Sequence, residues 1–193
     1  MRITGGTHRG RRLVPWDEEG IRPMRDFVRT ALFNILGDVV SGARFLDLFC
    51  GTGSVGLEAL SRGAADCVFL DQSPAACGIV RENLAQLAFL DRAKVVQGDF
   101  ADGLEDLARV GRQFDLAFSG PPYGKGLSKS ALRLLGERRL LASEGLVITE
   151  VFKKEILSET YGALQRVDER TYGDNLLVFY GVREAVGGGA VGG

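Results

Sequence analysis

The chain has 193 residues, of which 45% are hydrophobic and 25% are charged, and these values are typical of a single globular domain. Its formal net charge of -1 excludes binding to nucleic acid through overall charge, so such a partner would have to meet a local basic patch. The three cysteines form no Cys-x-x-Cys pair, which favours reduced thiols, no metal site and a cytoplasmic protein. No apolar run is long enough to span a bilayer, so we expect neither a signal peptide nor a membrane segment.

Residues 1–14, called the N-terminal arm below, form the local basic patch. Glycines at positions 5, 6 and 10 separate two short extended stretches, at residues 2–4 and 11–14, which predicts a hairpin. The arm contains arginines and no acid, so it either contacts phosphates or is a solvated edge hairpin; charge alone leaves both interpretations open. The candidate RNA contacts in the arm are Arg2, His8, Arg9, Arg11 and Arg12.

The next predicted element is a helix that starts just after Pro23 and ends near Gly37. Apolar residues recur at helical spacing between these two positions, and we expect Phe27 and Phe33 to lie in the core. Three arginines near the start of the helix are expected to extend the basic surface of the arm: Arg22, Arg25 and Arg29.

From position 44 onward, predicted strands and helices alternate. Strands are expected near 44–49, 67–70, 93–97, 114–118 and 145–151, and helices near 54–62, 74–87, 104–110 and 127–140. Residues 153–161 are predicted as a helix or turn, and 164–170 and 176–182 as a closing pair of strands. This order predicts a Rossmann-like α/β fold with a mostly parallel seven-stranded sheet and helices on both faces. We divide the chain into an N-terminal appendage that contains the arm (1–22), a main domain (23–183) and a flexible glycine-rich tail (184–193).

A glycine turn follows the first strand. Gly51, Gly53 and Gly56 give the pattern Gly-x-Gly-x-x-Gly, and Asp71 ends the next strand. A strand, a glycine turn and a helix bring backbone N–H groups and a positive helix end up to a ligand. The same pattern occurs in dinucleotide-binding proteins, so an NAD-dependent oxidoreductase is one alternative.

Three acids favour a different ligand. Asp47 lies within the first strand, Asp71 ends the second and Asp99 follows the third, so all are expected at the carboxyl edge of the sheet. Asp47 would suit an amine-bearing end of a ligand, Asp71 a ribose and Asp99 an adenine. S-adenosylmethionine has these three parts. Each acid also has a structural interpretation, since Asp47 could cap local backbone and the other two could be turn residues.

A rigid Pro121-Pro122-Tyr123 segment ends the fourth strand at the same edge. It is either a stiff exit from the strand or a ledge on which Tyr123 stacks against a flat base, with proline carbonyls accepting hydrogen bonds from an amine. Stacking of a base on an aromatic ring contributes about 1–3 kcal/mol.

Taken together, the motifs resemble the RsmD family, methyltransferases that modify the N2 amine of a guanine in small-subunit (16S) ribosomal RNA. The resemblance covers residues 1–182. Its motifs are Met1-Arg-Ile-Thr-Gly-Gly, Arg9-Gly-Arg-Arg-Leu, Arg22-Pro23, Val28-Arg-Thr-Ala-Leu-Phe-Asn-Ile-Leu36, Leu46-Asp-Leu-Phe-Cys-Gly-Thr-Gly53, Gly56-Leu-Glu-Ala-Leu-Ser-Arg-Gly63, Pro121-Pro-Tyr123 and Tyr172-Gly-Asp174. It implies a class I methyltransferase fold and S-adenosylmethionine as cofactor.

The resemblance also implies roles for single residues. The methionine end of the cofactor would meet Asp47, Gly51 and Gly53; the ribose would meet Asp71, with Gln72 beside it; the adenine would meet Asp99 and Phe100. Tyr123 would stack on a guanine that has left its base stack. Arg22 and the basic residues of the arm would hold rRNA, in free form or within a small ribosomal subunit particle. We expect the protein to act as a monomer.

One position departs from the family pattern. The family motif is Asp/Asn-Pro-Pro-Tyr, and this chain has Gly120-Pro121-Pro122-Tyr123. The acid or amide would accept a hydrogen bond from the target amine, and Gly120 has no side chain to do so. In one interpretation the protein is active, and backbone carbonyls, with Ser119 or a water, accept the hydrogen bond from the amine instead. In the other, the protein is a catalytically impaired relative that binds cofactor and RNA.

Overall fold

The computed structural model describes residues 1–15 and 24–183. Two expected features, the RNA contact Arg22 and the helix signal Pro23, lie outside the described residues. The same holds for the expected boundary after residue 22 and for the tail 184–193. Among the described residues, no helix is long and apolar enough to cross a bilayer.

One eight-stranded sheet forms the centre of the fold, in the order β3-β2-β1-β4-β5-β8-β7-β6. The strands are β1 (Arg44–Leu48), β2 (Asp66–Asp71), β3 (Ala93–Gln97), β4 (Phe114–Ser119), β5 (Leu141–Phe152), β6 (Thr160–Tyr161), β7 (Leu164–Tyr172) and β8 (Asn175–Val182). The α-helices are α1 (Asp26–Leu36), α2 (Ser54–Ser61), α3 (Pro74–Gln86), α4 (Phe100–Arg109) and α5 (Leu127–Glu137). β1 to β5 run parallel, and β6 to β8 add antiparallel pairs.

The α/β architecture confirms the predicted fold class, but the number of seven strands is wrong. The additional strand, β6, has two residues and lies in the segment predicted as a helix or turn. Two residues carry no alternating pattern, so periodicity cannot reveal such a strand. α4 also begins at Phe100, earlier than predicted, because the carboxylate of Asp99 accepts a hydrogen bond from the Ala101 N–H and caps the helix.

The sheet buries both of its faces, which explains why its parallel strands are apolar almost throughout. Phe45 of β1 packs in the core that α1, α2 and α3 cover. Its neighbours Leu46 and Leu48 belong to the core on the α4 and α5 side. The two cores place the carboxyl ends of β1 to β4 at one open edge of the sheet.

The buried face of α1 differs from the predicted one. Phe33 is buried as predicted, but Phe27 is 65% exposed, so its assignment to the core is wrong. The buried stripe of α1 instead includes Arg29, which is fully buried. The expectation that Arg29 extends the basic surface is therefore also wrong, because its guanidinium faces Glu58 and Asp26 inside the protein.

Buried Glu58 of α2 attaches the N-terminal arm to the main domain. Its carboxylate accepts hydrogen bonds from the backbone N–H and hydroxyl of Thr4, both at 2.8 Å. It also pairs with Arg62 at 2.8 Å and Arg29 at 3.4 Å. The arm itself is closed by an antiparallel bridge between Arg2 and Arg12, as the predicted hairpin requires.

We predict that Glu58→Gln destabilises the protein strongly, because it leaves the buried Arg29 guanidinium with less compensating charge. Removing one partner of a buried ion pair costs about 3–5 kcal/mol. The matched control is Glu105→Gln, which breaks the exposed pair with Arg138 and should cost about 0–1 kcal/mol. Urea unfolding measures both free energies, and equal losses in the two variants would contradict the role of Glu58 as a buried ion-pair partner.

Candidate functional site

The glycine turn between β1 and α2 forms the base of the candidate site. Gly51 and Gly53 have φ angles of 51° and 72°, in the left-handed region that favours glycine. A Cβ at Gly53 would come within 2.8 Å of the Val80 side chain, so the turn also packs closely against α3. At Gly56 a Cβ would overlap the Phe69 ring. The three glycines therefore let the turn fold tightly and let α2 lie close to β2.

Asp47 supports this turn from within the sheet. The side chain is buried, and its carboxyl accepts a hydrogen bond of 2.8 Å from the backbone N–H of Gly56, in the first turn of α2. Burial raises the pKa of Asp47 to about 8, the Gly56 hydrogen bond opposes this rise, and the charge of Asp71 adds to it. In the structure, Asp47 therefore makes the contact with local backbone that its structural interpretation predicted.

Asp71 lies at the carboxyl end of β2, beside the glycine turn, and its carboxylate is half-buried. One oxygen accepts a hydrogen bond of 2.9 Å from the Gly51 N–H, and the other accepts one of 2.9 Å from the Ser73 N–H. The carboxylate is held in place by backbone on both sides and faces the turn. Gln72 follows it and is exposed.

The end of β3 adds an aromatic wall next to Asp71. Asp71 pairs in register with Gln97, two residues before the exposed Asp99. The ring of Phe100 contacts the ring of Phe49, with centroids 5.1 Å apart. Phe49 precedes the glycine turn and has a φ of 60°, which is rare for an aromatic residue. Phe49 was not among the expected site residues, although it lies only two residues before Gly51.

The Gly120-Pro121-Pro122-Tyr123 segment leaves β4 at the same edge. The Gly120 N–H donates to the Leu48 carbonyl of β1 at 3.3 Å, which connects this segment to the start of the glycine turn. A Cβ at Gly120 would approach the Phe118 ring to 2.9 Å. Pro121 is buried, whereas Tyr123 is 41% exposed and its ring lies 6.2 Å from that of Phe152.

Ser119 precedes this segment, and its side chain is fully buried. The hydroxyl has no hydrogen-bond partner among the described residues. The backbone carbonyl accepts a hydrogen bond of 3.0 Å from Thr149. The Ser119 hydroxyl therefore lies inside the protein and not at the exposed mouth beside Tyr123.

The N-terminal arm lies along α2 and reaches the glycine turn. The hydroxyl of Thr52 in that turn donates to the Met1 sulfur at 3.7 Å. The His8 N–H donates to the Ser61 hydroxyl at 3.0 Å, and the His8 ring contacts Phe89 edge-on. His8 thus anchors the arm. The arginines of the arm are exposed and form no ion pair with another described residue: Arg2, Arg9, Arg11 and Arg12.

The site therefore combines a glycine turn, a fixed carboxylate, an aromatic wall and a Pro-Pro-Tyr ledge, with a basic arm beside it. Four strand ends contribute these parts, as expected for a ligand that binds outside the carboxyl ends of parallel strands. Among the described residues, no group of three or more His, Cys, Asp or Glu side chains could hold a metal ion.

Similarity to a solved structure identifies the class of protein to which the chain belongs. The fold matches that of the solved structure described as a putative methyltransferase, yhhF, from Escherichia coli, with a TM-score of 0.82 and 34% identity. The match covers 94% of this chain and 97% of that one. Together with the strand order and the glycine turn, it defines a Rossmann-like methyltransferase.

The sequence comparisons give the family. The family model described as "Conserved hypothetical protein 95" matches residues 1–181. The chain is 39% identical over 150 residues to ribosomal RNA small subunit methyltransferase D of Escherichia coli K12, covering 78% of this chain and 74% of that protein. It is 34% identical over 180 residues to the putative rRNA methyltransferase YlbH of Bacillus subtilis 168, covering 93% and 98%. The chain belongs to the RsmD family, as its sequence motifs predicted, and neither alternative function gains support.

We predict that Asp47→Asn removes part of the pH dependence of stability. The folded parent retains the Asp47 proton up to about pH 8, whereas an unfolded Asp releases it near its ordinary pKa of 3.8. The free energy of unfolding should therefore fall between these two pH values in the parent and fall less in the variant, whose amide oxygen can still accept from Gly56.

Urea unfolding at several pH values in this range measures the effect. Asp102→Asn, at an exposed position of α4, is the matched control and should keep the parent's pH dependence. Identical slopes of unfolding free energy against pH in Asp47→Asn and the parent would contradict the claim that the buried Asp47 carboxyl stays protonated in the folded protein.

Proposed function

We propose that the protein transfers a methyl group from S-adenosylmethionine to the N2 amine of a guanine in small-subunit rRNA. The observation that carries the proposal is the meeting of the glycine turn, the Asp71 carboxylate and the Pro-Pro-Tyr ledge at one sheet edge, next to exposed arginines. Membership of the RsmD family supports the same reaction.

The residues present fit this cofactor. Gly51 and Gly53 leave room for close approach to the turn, and the half-buried Asp71 carboxylate provides oxygens that suit ribose hydroxyls, with the exposed Gln72 beside it. Asp99 and the Phe100 ring suit the polar edge and the flat face of adenine. Asp47 acts on this site indirectly, since its carboxyl positions the Gly56 amide. When bound, S-adenosylmethionine supplies an electrophilic methyl group.

The Pro-Pro-Tyr ledge holds the guanine. The exposed ring of Tyr123 stacks on the base after it has left its own stack, and the rigid Pro121-Pro122 backbone fixes that ring relative to the glycine turn. The ledge would hold the guanine N2 facing the glycine turn, where bound S-adenosylmethionine would supply the methyl group, and N2 would release one proton to solvent. Because Gly120 has no side chain, we assign the acceptor role towards the amine to backbone carbonyls of Gly120 and Pro121.

The N-terminal arm supplies the RNA contacts. Its exposed arginines belong to the same short segment as Met1, whose sulfur contacts Thr52 in the glycine turn. We propose small-subunit rRNA, in free form or within a small ribosomal subunit particle, as the substrate. We propose a monomer as the active form, since one chain supplies every residue assigned to the site. We place the reaction in the cytoplasm, which the three buried free cysteines support.

A methylation assay tests the function directly. The parent should transfer radiolabelled methyl groups from S-adenosylmethionine to undermethylated small-subunit particles, and digestion of the RNA should recover the label as N2-methylguanosine. Fully methylated particles are the control and should accept no label. Absence of label from the undermethylated particles, or label on another nucleoside, would contradict the proposal.

The same assay tests the consequence of Gly120. Gly120→Asp adds a carboxylate that accepts from the amine, and we expect a faster reaction, by up to about 10²–10³. Gly120→Ala is the matched control, because it brings the same Cβ against the Phe118 ring without adding an acceptor. It should not be faster than the parent. Equal rates for the parent and Gly120→Asp would show that backbone carbonyls already accept the hydrogen bond that the missing side chain would accept.

We predict that replacing Arg9, Arg11 and Arg12 with alanine weakens RNA binding and flattens its salt dependence. Each lost phosphate contact should reduce the slope of log K against log salt by about 0.7–0.9. The measurement is fluorescence anisotropy with labelled small-subunit rRNA at several salt concentrations. The control removes three exposed arginines elsewhere, Arg133, Arg138 and Arg139. An unchanged slope in the arm variant would assign the arm to a purely structural role.

A further inference from the structure

A row of aromatic side chains leads away from the Pro-Pro-Tyr ledge. The Tyr123 ring lies 6.2 Å from the ring of Phe152, at the carboxyl end of β5. Phe152 pairs in register with Asn175 of β8, and Asn175 pairs with Tyr172 of β7. The Tyr172 ring contacts the ring of Phe27, with centroids 5.6 Å apart. The row therefore crosses three neighbouring strands and ends on the first turn of α1.

Phe27 is the most exposed member of this row, at 65%, while Tyr172 is half-buried beneath it. The two rings meet edge-on at 77°, so Tyr172 covers only part of the Phe27 ring. An exposed aromatic ring offers a face on which a base can stack.

The end of the row at Phe27 lies beside the N-terminal arm. The buried Arg29 guanidinium donates to the backbone carbonyl of Arg2 and to the Asp26 carboxylate. This contact joins the first turn of α1 to the first residues of the arm. Phe27 therefore stands between the catalytic ledge on one side and the exposed arginines of the arm on the other.

Exposed basic residues accompany the row, and the acids next to it, Asp26 and Asp174, are paired with Arg29 and Lys153. Arg25 is exposed immediately before α1, and the N-terminal end of α1 carries the positive end of the helix dipole. Lys154 is exposed two residues beyond Phe152. Aromatic rings together with basic groups suit a single-stranded nucleic acid better than an apolar protein partner.

We propose that Phe27 and Tyr172 form a second base-binding site, which stacks an unpaired nucleotide of the RNA near the target guanine. The inference rests on the proposed function, because it takes the RNA at the ledge as its starting point. An unpaired strand would run from Tyr123 past Phe27 to the arm. This site binds a base through a ring face, whereas the arm binds phosphates through charge.

Fluorescence anisotropy with a labelled, unmethylated transcript of small-subunit rRNA tests this site. Phe27→Ala should raise Kd by roughly 5- to 150-fold, because stacking contributes about 1–3 kcal/mol per base. Since no phosphate contact is lost, the slope of log K against log salt should equal that of the parent. Phe27→Trp should restore binding, and Phe27→Leu, which keeps the apolar character but loses the ring, should not.

Val110→Ala is the control for exposed apolar surface, since Val110 is 76% exposed at the end of α4, away from the ledge. It should bind RNA like the parent. Equal Kd values for Phe27→Ala and the parent would overturn the proposal. So would a dimer in sedimentation that dissociates in Phe27→Ala, because the ring would then serve contact between copies of this chain.

Methyl transfer with the same variants separates this inference from the proposed function. If the parent methylates guanine and Phe27→Ala keeps the parent's KM for RNA, the second base site alone is wrong. If the parent transfers no methyl group to guanine, the proposed function is wrong, and the Kd ratio of parent to Phe27→Ala still decides whether Phe27 binds RNA.

Discussion

The hydrogen bond from the Gly56 amide to the buried Asp47 carboxyl is the contact on which the site depends. It fixes the first turn of α2 against β1 at a length of 2.8 Å, and so fixes the glycine turn between them. Two residues further along α2, the carboxylate of Glu58 holds the N-terminal arm through Thr4. A single short helix thus positions both the glycine turn and the N-terminal arm.

This arrangement requires two buried acids, Asp47 and Glu58, which is costly in an apolar core. The structure offsets the cost differently at each. Burial raises the pKa of Asp47 to about 8, so that the group is largely uncharged near neutral pH. Glu58 is instead surrounded by donors from Arg29, Arg62 and Thr4. The first acid supports the turn as a neutral acceptor, and the second binds the arm as part of an ionic network.

Much of the fold could be predicted from the sequence, because glycine turns and apolar strands are local signals. The same local signals placed the ends of β1 to β4 at one edge. They failed where the outcome depends on distant partners. Arg29 is buried against Glu58, which lies 29 positions away along the chain, and turning Arg29 inward leaves Phe27 outside. In the site, Asp71 and the ledge were predictable from strand ends, whereas the contact of Asp47 with Gly56 required the three-dimensional structure.

The most direct test of this site is calorimetric binding of S-adenosylhomocysteine to the parent and to Asp71→Ala. We expect the parent to bind this ligand and not to bind NADH. The variant should bind S-adenosylhomocysteine at least about tenfold more weakly, because hydrogen bonds to a charged carboxylate are lost. Binding of NADH without S-adenosylhomocysteine, or equal S-adenosylhomocysteine affinities in the two proteins, would contradict the assignment of this sheet edge.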